Sequence, residues 1–264
     1  MHRGSFVVLD AAGEVIVAAG AVDRPTLPRS SNKPVQATAL LAAGWTPRSA
    51  RELAIGAGSH NGEDGHRDTA AAMLAAVGLG PDDLGCPPAL PQHEATKADW
   101  LATGRTPERL AMNCSGKHAA MLSACVAAGW PTSGYLEREH PLQQAIEARL
   151  AEAAGEPVAA VVVDGCGAPQ HALSVTGLAR GVLSLVQAGS GSRELAVADA
   201  MRAEPWFVAG TGREDTELMQ ALPGLLVKGG ADGVHVAALP GWGRWRSSST
   251  TAATVVARLL WRPG

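Results

Sequence analysis

SFVVLDAAGEVIVA, residues 5–18, contains two short β-rich runs, SFVVL at 5–9 and EVIVA at 14–18, around the turn DAAG at 10–13. Strand, turn, strand over so few residues reads as a hairpin, which commits the chain to antiparallel pairing from its start. Working outward, residues 31–43 read as a helix closed by Gly44, and residues 64–77 as a second closed by Gly78. Three more follow at Ser115–Ala128, at residues 142–154 and at Arg193–Ala203, the first two stopped by Gly129 and Gly155. Glycine after a periodic apolar run is a usual helix stop. Residues 158–163 read as a buried strand running into the turn DGCG at 164–167, and residues 81–98, rich in proline and polar residues, as loop. Residues 225–227 and 234–238 read as paired strands around a glycine turn. No β-α-β alternation repeats, so the expected class is α+β, helices packed on a mainly antiparallel sheet.

The chain has 264 residues, enough for one large domain or two small ones. It is 46% hydrophobic, yet no apolar run approaches the ~20 residues of a membrane span. The formal charge of −3 comes from interspersed acids and bases, without the clustered basic face that nucleic acid requires. No basic-plus-apolar leader stands at the N-terminus, so a cytoplasmic location is expected. Four cysteines, Cys86, Cys114, Cys125 and Cys166, are too few for a disulfide framework at this length. They read as core residues, metal ligands or reactive thiols.

Several clusters carry the residue types of a reaction site. In RSSNKP, residues 29–34, Ser30 and Lys33 stand three apart at a helix start, so one turn brings hydroxyl and amine to neighbouring positions. Such a serine is activated if its lysine is held neutral by burial or a nearby cation. Ser-x-x-Lys is common by chance, and Ser31 serves equally well as a helix cap. GSHNGE, residues 58–63, exposes Ser59 in a tight turn, and an ordinary capping loop reads the same way. NCSGKH at 113–118 and DGCGAP at 164–169 each set a cysteine at a glycine-bearing turn, half of a tetrahedral zinc shell. KGGADGV, residues 228–234, places Lys228 at a strand end, as a second base, a charged clamp or a plain hairpin lysine.

Taken in order, these five motifs resemble the L-asparaginase II family, the thermolabile or rhizobial-type serine–lysine enzymes. The resemblance runs from about residue 2 to about residue 240 and includes VAGTGR at 208–213. It implies a layered fold similar to serine β-lactamases and glutaminases, a homodimer, and hydrolysis of L-asparagine to L-aspartate and ammonia. It places the nucleophile on Ser30 with Lys33 as base and a second pair on Ser59 and Lys228. It places a supporting zinc on Cys114, Lys117 and Cys166, with Arg29, His118 and Asp164 framing the substrate. A β-lactamase-like acylase for another amide is the alternative that Ser-x-x-Lys alone would allow.

Against the family pattern the catalytic domain, residues 1–240, is expected to begin late and to lack the first strand. Residues 241–264 hold three of the seven tryptophans, four arginines and no Asp, Glu or Lys. With GC-rich codons, a shifted frame across Trp242 to Thr251 reads Gly-Ala-Val-Ala-Val-Lys-Leu-Asp-Asp, the segment the family has after Pro240. The tail is therefore read as a frameshift that packs poorly, and a truncated, inactive family member competes with a working enzyme.

Overall fold

The computed structural model describes residues 3–240 and 254–260; the expectations for Trp242, Trp245 and Trp261 lie outside the described residues. The opening hairpin forms as read: β1 (Arg3–Leu9) pairs antiparallel with β2 (Val15–Ala19), Phe6 opposite Ala19 and Val8 opposite Val17. Near the other end β5 (Leu226–Gly229) and β6 (Val234–Ala238) form a second antiparallel pair. The two are joined by β7 (Thr254–Leu260), antiparallel to β1 on one side and β6 on the other, giving the order β2-β1-β7-β6-β5. Part of the segment that the sequence sets apart as a tail thus supplies the middle strand.

One face of the sheet is covered. Val7 and Leu9 on β1, and Val234, Val236 and Ala238 on β6, point into the core at the two-residue spacing of a half-buried strand. The covering element is α7 (Val175–Gln187), whose buried Leu178, Val182 and Leu185 lie on its inner side. The sequence reading assigned no element here. Further layers are built from α1 (Lys33–Ala42), α2 (Ala50–Gly56), α3 (Asp64–Ala75), α6 (Pro141–Ala154) and α8 (Arg193–Ala203). Of these, α1, α2, α3 and α6 pack around α5 (Ser115–Ala128), which is buried all round from Ser115 to Cys125, as a central helix must be. Gly116 is required there, since a Cβ would stand 2.6 Å from the Ile55 side chain. Two short helices, α9 (Pro205–Val208) and α10 (Glu214–Ala221), lead back to β5. The class is α+β, as expected.

Two local readings are corrected. Residues 81–98 are not all loop: a 3-10 turn covers Pro81–Asp83, and α4 (Glu94–Ala102) starts within the stretch. Its EATKADWLA sequence is rich in good helix formers, which outweigh the flanking prolines. The strand expected to be buried is β3 (Ala160–Val163), and it lies at the surface, Val163 being 78% exposed. Among the described residues it pairs only with β4 (Pro169–Ala172), and it is β4 that is buried. An apolar run does not reveal whether its own faces or its partner's are covered.

Candidate active site

The site begins with a strained backbone. Before α1 the chain makes a 3-10 turn over Arg29–Asn32, and Arg29 has a φ of 54°. Among the described residues one other non-glycine residue has a positive φ, Asp232 at 59°, and the two side chains form an ion pair with each other. Left-handed backbone at an L-residue with a Cβ costs of order 1–2 kcal/mol, and such strain collects at functional sites. Arg29 Nε also donates to Asp164 Oδ1 at 2.9 Å, so the guanidinium joins three distant segments. Gly230, next to this junction, has no room for a side chain, since a Cβ would stand 2.7 Å from the Pro28 carbonyl oxygen.

Ser30 follows on the turn and lines a cavity of about 330 Å³. Ser59 lines the same cavity from a loop held by its N–H, which donates to the Val208 carbonyl at 2.7 Å. Asp164 and Cys166 come from the β3–β4 turn, closed by Gly167 donating to the Asp164 carbonyl at 2.9 Å. Cys114 enters from the N-terminus of α5, and Gly229 to Ala231 from the end of β5. All five sequence motifs therefore meet at one place. Neither serine hydroxyl makes a hydrogen bond among the described residues.

The two lysines stand behind the cavity wall, with partners other than those expected. Lys33, 2% exposed, donates to the Gly58 carbonyl at 2.7 Å and to Cys114 Sγ at 3.1 Å. Burial pushes its amine below the ordinary value; the Cys114 sulfur opposes this, and the Lys117 and Lys228 charges reinforce it. No Ser30–Lys33 hydrogen bond is present among the described residues. Lys228 is fully buried and donates to Asp215 Oδ2 at 2.7 Å and to the Gly229 carbonyl at 2.6 Å, and not to Ser59. Asp215 also accepts from Gly229 N–H at 2.9 Å and lies 3.2 Å from His235 Nε2. Burial works against its charge, but Lys228, His235 and the Gly229 N–H outweigh that and hold the carboxyl well below the usual carboxylate range.

Beside Lys33 the network continues through sulfur. Lys117 Nζ donates to Cys166 Sγ at 3.2 Å, and the Cys114 thiol donates to Asn113 Oδ1 at 3.2 Å. Interaction with the neighbouring Cys114 thiol, with Lys117 and His118 nearby, makes Cys166 the thiol that ionises first; the same interaction, with burial, raises Cys114 well above its ordinary value. Burial opposes the Lys117 charge, but the sulfurs of Cys166 and Cys114 outweigh it and hold the amine above its ordinary value. Two buried soft donors and an amine, brought together by α5 and the β3–β4 turn, are a donor set that fits zinc. His118 does not line the cavity. It sits beside Cys166 with Nδ1 2.6 Å from the Tyr135 hydroxyl, and burial pushes its pKa down to about 4.

Sequence reasoning overlooked Asp215, Asp232 and Arg213. Asp232 lies inside the KGGADGV motif and is drawn in by its ion pair with Arg29. Asp215 sits in the first turn of α10 among three acids, with nothing in the local pattern to single it out. Cys86 and Cys125 are buried and play no part in the cavity.

The L-asparaginase II family model matches residues 1–254. No curated protein matches the chain. Among solved structures, "Crystal Structure Analysis of Mglu in its native form" is similar over 97% of this chain, at 14% sequence identity and a TM-score of 0.48. The chain spans 58% of the length of that protein.

Proposed function

Because the chain belongs to the L-asparaginase II family, we propose that it hydrolyses L-asparagine to L-aspartate and ammonia, with Ser30 as nucleophile and Lys33 as base. The observation that carries the reading is Lys33 itself, an amine buried behind a small polar cavity whose ammonium form burial disfavours. A neutral amine is what a serine hydroxyl needs as a proton acceptor. Ser30 Oγ gives its proton to Lys33 Nζ and forms a bond to the side-chain amide carbon. The carbonyl π electrons move to oxygen, which backbone N–H groups at the helix start and Ser59 hold. The C–N bond breaks as Lys33 returns the proton to the leaving nitrogen, and ammonia departs. Water then adds to the ester carbon, its proton passing through Lys33 to Ser30, and L-aspartate is released. Lys228 supplies a fixed positive charge beside the reacting groups.

Cys114, Lys117 and Cys166 would hold a zinc ion, which supplies a positive charge for substrate binding at the cavity wall. Because Lys117 must lose its proton to bind metal, zinc affinity should fall as pH falls. The homodimer implied by the resemblance, and the cytoplasmic location expected from the sequence, belong to the same reading.

The test is ammonia release from L-asparagine by the purified chain, with Ser30→Ala expected to lower kcat by at least about a thousandfold. A loss under tenfold removes Ser30 as nucleophile. Metal analysis of protein purified without chelator should find one zinc per chain, lost in the Cys114→Ser/Cys166→Ser double variant. Unchanged zinc content in that variant places the ligands elsewhere.

A further inference from the structure

Two arginines line the reaction cavity, and their charges are handled differently. Arg29 is already neutralised by Asp164 and Asp232. Arg213 has no ion pair among the described residues. Its two hydrogen bonds go to neutral amides, Asn61 Oδ1 at 3.1 Å and Gln92 Oε1 at 3.2 Å. Both are made by Nη1, which leaves the Nε–Nη2 edge without a partner among the described residues. That edge is the one that grips a carboxylate through two parallel N–H bonds.

The orientation of this guanidinium is held from behind. Asn61 Nδ2 donates to the Thr211 carbonyl at 2.9 Å, which turns its oxygen toward Arg213. The Asn61 N–H donates to the Ala209 carbonyl at 2.8 Å, and Gln92 N–H to the Asn61 carbonyl at 2.7 Å, so both acceptor residues are fixed by backbone bonds. Arg213 also lines an adjoining cavity of about 760 Å³, together with Gly229 and Gly230, and therefore stands where the two spaces meet. Glu214 and Asp215 border that second space; Asp215 is taken by Lys228, and Glu214 makes no ion pair with Arg213 among the described residues. A charged fork held by neutral acceptors in a cavity wall has an unfilled place for an anion.

We infer that Arg213 binds the α-carboxylate of the substrate, limiting the site to amides of free α-amino acids and excluding amides that lack that group. The inference rests on the amidohydrolase reading and names the specificity residue of the same cavity. It places Arg213, and not Arg29, as the carboxylate anchor.

Calorimetry with L-aspartate and with β-alanine, which keeps the amine and the other carboxylate and lacks the α-carboxylate, tests this. The unaltered protein should bind L-aspartate at least about tenfold more tightly than β-alanine, the contribution of a charge-assisted pair. Arg213→Gln should remove that advantage while leaving β-alanine binding unchanged, and Arg213→Lys should restore part of it. Equal binding of the two ligands by the unaltered protein overturns the inference without need of a variant. So does an Arg213→Gln protein that binds L-aspartate normally, or one that loses both ligands alike while Arg213→Lys loses nothing. Failure of the hydrolase reading looks different: Arg213-dependent L-aspartate binding without ammonia release from L-asparagine upholds the anchor and rejects the reaction. Ammonia release with an unchanged KM in Arg213→Gln does the reverse.

Discussion

The turn at Ser30 and the end of β5 each set a buried lysine behind the wall of the same cavity, and the two lysines differ in their company. Lys33 faces a carbonyl and a thiol, so burial prevails and the amine is pushed toward its neutral form. Lys228, more deeply buried still, faces the Asp215 carboxylate and sits in an ion pair. Burial alone therefore does not make a base. The charge of the nearest partner decides whether a buried amine takes up protons or serves as a fixed cation. A lysine that works as a base must be free to lose its charge, whereas one that works as a cation must not.

The sharpest way to break this comparison is to substitute arginine at each position, because arginine carries charge and cannot give it up. Lys33→Arg should lower kcat by at least about a thousandfold, since no group then accepts the Ser30 proton. Lys228→Arg, which keeps the ion pair with Asp215, should stay within about tenfold. Steady-state kinetics on L-asparagine decide it. Similar losses in both would mean that the two lysines share one role.

Removing the partner instead of the lysine tests the same difference through stability. Asp215→Asn leaves Lys228 charged and buried with no counter-ion, a change that costs about 3–5 kcal/mol. Denaturant unfolding should show that loss, and adding Lys228→Met should recover part of it, because the pair is then removed as a unit. A loss under about 1 kcal/mol would show that Asp215 does not carry the charge balance of this region.

Acid should separate the two regions by smaller and graded effects. His60 lies beside the Lys33 network, fully buried, accepting from Gly62 N–H, and burial holds its pKa well below 6.5. His171 on β4 is pushed down to about 4, also by burial. Each imidazole is neutral in the folded protein and protonates more readily when unfolded. Stability from these groups is complete above the unfolded pKa near 6.5 and is lost as pH falls from there toward 4. Asp215 works in the next window. Its folded pKa is depressed, so its contribution is present above the unfolded pKa near 3.9 and is lost only below it. Unfolding measured at pH 7, 5 and 3 should show the first loss abolished in part by His171→Gln, and the further loss toward pH 3 reduced in part by Asp215→Asn. A flat profile from pH 7 to 5 would mean that the buried histidines already titrate normally.

How much was legible depends on how local each signal is. The helix at Ser115–Ala128 was readable to its ends, because Gly129 adopts a φ of 68° where a side chain is disfavoured. The β1–β2 hairpin was readable because strand, turn and strand lie within a few residues. Helix α7 was not: Gly177 and Gly181, with several β-branched residues, weaken its helix propensity, and packing against the sheet supplies what propensity lacks. The position of Thr254–Leu260 between β1 and β6 depends on which edges remain unpaired after both hairpins have formed, and no local pattern contains that.

By itself the sequence determined the α+β class, the family, and which residues come to the cavity: Ser30, Ser59, Cys114, Asp164, Cys166 and the glycines after Lys228. Each of these lies in a short motif whose turn chemistry and spacing are local. Only the tertiary structure decided which charges would be neighbours. It set Lys33 against Cys114, Lys228 against Asp215, and Arg29 between Asp164 and Asp232, and it left Arg213 with neutral partners. The physical reason is that the pKa of a buried group follows distances of a few ångströms between segments far apart in the chain. The sequence states the inventory of charges, and the fold alone states their separations.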